Sequence, residues 1–187
     1  MPPILEIPEV RQRVSPLSVE EYHRLDERNE HGRRTELIRG IVIEKMSKSP
    51  LHSAIGKLLY DKISRMVPEN FVVRREDPLT LSDSEPEPDI SVTRGKNADF
   101  FTKHPTTAEL VVEVAVTSAT LDRENASLYA EAGVQEYWIV LASERKVEVY
   151  RRAEAGQYLD KRVLEFNDTL ECCSVPGVQI RLADLFA

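Results

Sequence analysis

Hydrophobic and polar positions repeat with different periods along this chain, and each change of period marks a new element. Over residues 51–66 apolar side chains recur at intervals of three and four: Leu51, Ile55, Leu58, Leu59, Ile63 and Met66. That spacing predicts an amphipathic helix packed on a sheet. Residues 110–116 are almost unbroken apolar sequence, which reads as a buried strand. Shorter β-branched and aromatic runs predict strands at residues 71–75, 79–82 and 89–93. Residues 135–141 and 146–151 read as the two arms of a hairpin around Ala142-Ser143-Glu144. A further strand covers residues 158–166, and residues 178–181 with 182–186 close the chain.

Capping and turn residues place the remaining boundaries. Ser18-Val-Glu-Glu21 is a capping box, so a helix runs from there to about Asn29. Residues 35–46 are β-branched and bend at Arg39-Gly40, the signature of a hairpin. Ser118 or Thr120 caps a helix ending near Ala132, where Gly133 supplies a left-handed stop. Residues 1–16 carry prolines and no clear period, and are expected to be an extended N-terminal arm. Residues 17–187 then make one domain of the α/β (α+β) class: a central mixed β-sheet flanked by helices, with additional β-hairpins.

Composition narrows the class without adding chemistry. The chain has 187 residues, 41% hydrophobic and 30% charged, which is ordinary for a soluble globular protein. No apolar run approaches the length of a membrane span, and the N-terminus lacks a signal-peptide layout, so a cytoplasmic location is expected. The only cysteines, Cys172 and Cys173, are adjacent, which suits neither a disulfide framework nor a zinc site. A net charge of −7 argues against an obvious nucleic-acid binder, because phosphate contacts need a basic footprint. Arg74-Arg75, Arg94-Gly-Lys96 and Lys103-His104 are the places where a local basic patch could still form.

One residue breaks the apolar run. Glu113 sits in Glu109-Leu-Val-Val-Glu113-Val-Ala-Val116 on the face opposite Leu110, Val112 and Val114. A second isolated acid, Asp89, follows Pro88, whose missing amide suits the beginning of a strand. The two acids are 113 − 89 = 24 residues apart, a spacing that fits neighbouring strands joined by a polar loop. Carboxylates facing one point repel each other unless a cation lies between them. Oxygen ligands favour Mg²⁺ or Mn²⁺, which polarises a phosphoryl oxygen and lowers the pKa of a bound water. The competing reading is a structural ion pair with Arg123 or Arg94, and spacing alone leaves both open.

A set of short motifs adds a resemblance. Thr35-Glu36-Leu-Ile-Arg-Gly40, Ser49-Pro50-Leu-His52, Glu87-Pro88-Asp89, Val-Val-Glu113-Val and Asp122-Arg123 occur in order. Tyr129-Ala-Glu-Ala-Gly133 and Glu136-Tyr-Trp-Ile-Val140 follow them. Together they resemble the Uma family of bacterial "putative restriction endonucleases", within the PD-(D/E)XK nuclease superfamily, over roughly residues 17–187. The resemblance implies a restriction-endonuclease-like core and a Mg²⁺-dependent DNA endonuclease, expected to act as a homodimer. It implies Asp89 and Glu113 as metal ligands, with the Val114 carbonyl as an additional one. Glu36 and His52 match further family positions.

One departure bears on activity. The superfamily lysine lies two residues after the glutamate, where this chain has Ala115. Uma relatives carry it on the next helix, four residues before the tyrosine, where this chain has Asn125. Asparagine can orient a water but brings no positive charge, and losing one such contact costs on the order of 10²–10³ in rate. Arg123 points to a different side of that helix. The resemblance therefore implies either a weak nuclease with Asp89, Glu113 and Asn125 as its catalytic residues, or an inactive nucleic-acid-binding or interaction module on the same fold.

Overall fold

In the computed structural model, which describes residues 7–11, 13–27 and 32–187, the capping box at Ser18 closes in both directions. The Glu21 amide donates to Ser18 Oγ at 3.2 Å, and the Ser18 amide donates to Glu21 Oε2 at 2.8 Å. A single turn, α1 (Pro8–Arg11), precedes it, so part of the expected extended arm is helical. Proline is pre-organised for a first helical position, which explains where that turn begins. The capped helix, α2 (Val19–Asp26), ends with Glu27 as its C-cap. The expected end near Asn29 lies outside the described residues.

These elements belong to the first of two compact units, Met1–Lys45 with Ser82–Pro86. Its hairpin joins β1 (Thr35–Ile38) to β2 (Ile41–Glu44), with Thr35 opposite Glu44. Arg39 and Gly40 both take positive φ, 52° and 73°, as a tight hairpin turn requires. Gly40 is needed for a second reason: a Cβ there would stand 2.4 Å from Pro16 Cβ. Leu37 is fully buried and bridges Glu85, while the Tyr22 hydroxyl donates to the Thr35 carbonyl at 2.9 Å.

The second unit, Met46–Leu81 with Glu87–Ala187, holds the sheet. Its helix α3 (Pro50–Met66) starts at Ser49, whose hydroxyl accepts from the His52 amide, with Pro50 in the first turn. Six strands follow in spatial and chain order: β3 (Phe71–Arg74), β4 (Ile90–Arg94), β5 (Leu110–Ala115), β6 (Glu136–Leu141), β7 (Lys146–Glu154) and β8 (Gln157–Leu164). Only β5 and β6 run parallel, and α4 (Thr120–Glu131) makes the crossover between them. Ile55, Leu59 and Ile63 of α3 pack with Leu110, Val112, Val114, Trp138 and Val140 on one face of the sheet. A second hairpin, β9 (Thr169–Glu171) with β10 (Gln179–Arg181), and the short α5 (Leu182–Leu185) complete the unit. The mixed sheet, flanking helices and extra hairpins are those the pattern predicts.

Two local expectations fail. Residues 79–82 form no strand: Leu79 and Leu81 are buried, but the Thr80 amide bonds to the Pro105 carbonyl in a neighbouring loop. Their alternation reflects burial without a ladder partner. At α4 the cap is Ala119, without a side-chain bond, while Ser118 Oγ accepts from the Thr120 amide one residue too early. Gly133, at φ 74°, does supply the left-handed stop. Among the described residues no helix is long and apolar enough to cross a membrane.

Candidate functional site

Antiparallel pairing of β4 and β5 sets Ile90 opposite Val112, so the next residues, Asp89 and Glu113, face each other across the strands. The chain then satisfies each acid with the other's neighbourhood. The Asp89 amide donates to Glu113 Oε2 at 3.1 Å, and the Val114 amide donates to Asp89 Oδ2 at 2.9 Å. From α4 the buried Tyr129 hydroxyl donates to Glu113 Oε1 at 3.0 Å. Glu113 is thereby oriented from two sides, by a strand amide and by a helix side chain.

Two basic side chains reach Asp89 from the start of α3. Lys48 Nζ donates to Oδ1 at 2.7 Å, and His52 Nε2 lies 3.0 Å from Oδ2. Ser49 and Pro50 fix the entry of the chain into the helix, which holds both residues against the end of β4. Lys48 also contacts Glu76 Oε1 at 3.1 Å. Glu76 sits at φ 55°, and its amide reaches the carbonyls of Pro88 and Asp89 at 3.2 and 3.3 Å. Asp89 is only 8% exposed. Burial alone pushes its carboxyl up, but the His52 bond and charge, joined by Lys48, bring it down to about 2.

The donor set suits a small hard cation. Asp89 and Glu113 offer carboxylate oxygens side by side, and Mg²⁺ and Mn²⁺ bind through one or two carboxylates while keeping waters and substrate phosphate as remaining ligands. Among the described residues no group of three or more acidic, histidine or cysteine side chains is placed to hold a metal ion.

The other expected residues are distributed as follows. Asn125 is buried on α4, one turn before Tyr129, which puts both on the helix face turned toward Glu113. His52 stands at Asp89. Arg123 is held instead by Glu148 of β7, with its Nη2 2.7 Å from Oε1. It lines an open hollow at the ends of β5 and β6 with Thr117, Ser118 and Ser143. Glu36 belongs to the first unit, where Lys45 lies 3.7 Å away. The basic pairs offered as a DNA footprint are largely engaged. Arg74 meets His104 at 3.3 Å and the Phe100 ring, and Arg94 meets Glu109 at 2.9 Å. Sequence reasoning missed Lys48 and Glu76 altogether. The one signal for Lys48 was its place just before the Ser49-Pro50 helix start.

Three comparisons bear on this arrangement. The family model Uma2, described as "Putative restriction endonuclease", matches residues 19–183. A crystal structure of "a putative nuclease belonging to DUF820" from Anabaena variabilis superposes with a TM-score of 0.77 at 22% identity. The match covers 91% of this chain and 98% of that one, and at such identity it establishes the fold. No curated protein matches the chain. The motifs and the family model point the same way.

Proposed function

The chain belongs to the Uma2 family, and from that premise we propose that it is a divalent-metal-dependent DNA endonuclease hydrolysing phosphodiester bonds. The observation that carries the reading is the mutual bonding of Asp89 and Glu113, in which the Asp89 amide holds the Glu113 carboxylate and the Val114 amide holds that of Asp89. Asp89 and Glu113 would hold Mg²⁺ or Mn²⁺, which supplies Lewis-acid chemistry at the phosphate. Tyr129 and the Asp89 amide keep Glu113 from rotating, and the Val114 amide does the same for Asp89. Asn125, one turn along α4 from Tyr129, would orient the attacking water by hydrogen bonds. Hydrolysis adds that water across a P–O bond. Its oxygen joins phosphorus, the bond to the leaving sugar oxygen breaks, and the proton released by one is balanced by the proton taken up by the other. Cutting both strands of a duplex wants two such sites, so a homodimer is part of the proposal.

Plasmid nicking in Mg²⁺ and in Mn²⁺, beside Asp89→Ala, tests the reading. Activity in the wild type that disappears in the variant supports it, and equal activity in both removes the site as drawn. The second reading, a DNA-binding module without turnover, is favoured by the uncharged Ala115 and Asn125 and by the net charge of −7. DNA binding without cleavage in either metal would establish it. Sedimentation of the purified chain decides the dimer.

A further inference from the structure

Neither β5 nor α4 brings a positive charge to the candidate site. Ala115 and Asn125 are neutral, and the guanidinium of Arg123 is taken by Glu148 through bonds of 2.7, 3.1 and 3.2 Å. Hydrolysis of a phosphodiester nevertheless builds negative charge on the phosphoryl oxygens, and a preorganised donor there is worth on the order of 10²–10³ in rate. The ammonium that stands at the site comes from elsewhere in the chain. Lys48, in the segment before α3, places Nζ 2.7 Å from Asp89 Oδ1.

Three features separate Lys48 from a chance surface pair. Its side chain is 22% exposed, covered enough to be fixed and open enough to meet a ligand. Its backbone is anchored by the adjoining helix start, where Ser49 caps and Pro50 occupies the first turn. Its ammonium has a second anchor, Glu76 Oε1 at 3.1 Å, on a turn whose amide is tied to the Pro88 and Asp89 carbonyls. Glu76 takes the left-handed conformation of a turn, with φ 55°. An ammonium on two carboxylates can release one to a cation and remain placed by the other.

We propose that Lys48 is the catalytic cation of this site, donating to a non-bridging oxygen of the scissile phosphate while Glu76 holds its side chain in place. The inference rests on the nuclease reading above. Lys48 acts through its hydrogen bond alone. The P–O bonds formed and broken are those of hydrolysis, and the ammonium lowers the energy of the crowded phosphorus between them.

The test compares wild type, Lys48→Met, Lys48→Arg and Asp89→Ala by single-turnover plasmid nicking in saturating Mn²⁺. Calorimetric titration with Mn²⁺ and a thermal midpoint are measured on each. Lys48→Met is expected to cut on the order of 10²–10³-fold more slowly. Its thermal midpoint should fall, because the buried Asp89 loses a partner, yet it should bind Mn²⁺ at least as tightly, because a cation competing for Asp89 has been removed. Lys48→Arg should recover most of the rate. Cleavage by Lys48→Met at the wild-type rate, with Asp89→Ala inactive, overturns the role of Lys48 and leaves the nuclease reading standing. Loss of Mn²⁺ binding in Lys48→Met, without rescue by arginine, overturns it in favour of a structural ion pair. A wild type inert in both Mg²⁺ and Mn²⁺ overturns the nuclease reading, and the role of Lys48 falls with it.

Discussion

The main-chain amide of Asp89 donates to the side chain of Glu113 at 3.1 Å, so the position of one acid is set by the backbone of the other. The bond joins the residue just before β4 to the middle of β5 and needs no side-chain charge on Asp89. Glu113→Gln keeps an acceptor oxygen for that amide but loses the charge. The expected outcome is a folded protein with a thermal midpoint near the wild type and Mn²⁺ affinity down by at least about tenfold. A change at an outer-shell partner already costs about that much. Mn²⁺ calorimetry beside a thermal scan reads both.

Tyr129 acts on the same carboxylate from the opposite side. Its ring is fully buried and its hydroxyl lies 3.0 Å from Glu113 Oε1. Tyr129→Phe preserves the packing and deletes one donor to a charged acceptor, a loss of about 1.5–3 kcal/mol if the carboxylate stays ionised. Mn²⁺ affinity should fall by roughly 10- to 100-fold, without loss of secondary structure by circular dichroism. An unchanged affinity would show that the amide of Asp89 alone orients Glu113.

The Glu148 cluster gives a separate handle on acid stability. Burial raises the Glu148 carboxyl, but bonds from Arg123, Tyr150 and Lys161 outweigh it and bring it down from 4.5 to about 2. A carboxyl lowered on folding contributes stability above its unfolded value, and that contribution is lost as pH falls through the folded one. Wild type should therefore exceed Glu148→Gln in urea midpoint at pH 7, and the gap should close between pH 4.5 and about 2. Arg123 and Lys161 are 43% and 47% exposed, so salt should narrow the gap as well.

Glu136, 1% exposed, collects a different set of donors. Trp138 Nε1 and the Cys173 amide each donate at 2.8 Å and Arg151 Nε at 2.9 Å, so the carboxylate clips residues 172–174 to the sheet. Removing it strands a guanidinium and a main-chain amide, so Glu136→Ala should lose about 3–5 kcal/mol. The Cys172 thiol beside it is pushed up to about 12 by burial and then by the Glu136 charge. Ellman's reagent should titrate one thiol, exposed Cys173, in the native protein and two after denaturation.

Those residues also show what a sequence exposes and what it hides. The strands β4 to β7 were legible because a buried strand needs an apolar run, and Glu113 stood out because such a run tolerates a charge only for a reason. Residues 79–82 were misread because Leu79 and Leu81 alternate and are buried, yet burial is not a hydrogen-bond ladder. Asp89 was legible through Pro88. Lys48 was not: it is one of 25 basic residues, lies in a loop and has no periodicity. Its role depends on how the start of α3 docks beside a strand end 41 residues away, which only the folded chain reveals.

That placement makes the vacant helix position testable from the other side. Asn125 is 6% exposed and one turn before Tyr129, so a lysine there would direct its ammonium toward Glu113 from α4 rather than toward Asp89 from the α3 side. If Lys48 already supplies the charge, Asn125→Lys in the wild-type background should change the cleavage rate by less than about threefold. In the Lys48→Met background the same substitution should restore at least about tenfold, since two groups serving one function are non-additive. Four proteins in one double-mutant cycle, assayed by single-turnover nicking in Mn²⁺, read the coupling directly. Equal acceleration in both backgrounds would mean that Lys48 and residue 125 act independently, and that Lys48 is not the charge the phosphate meets. Recovery confined to the Lys48→Met background would mean that this fold accepts its cation from either side of the paired acids.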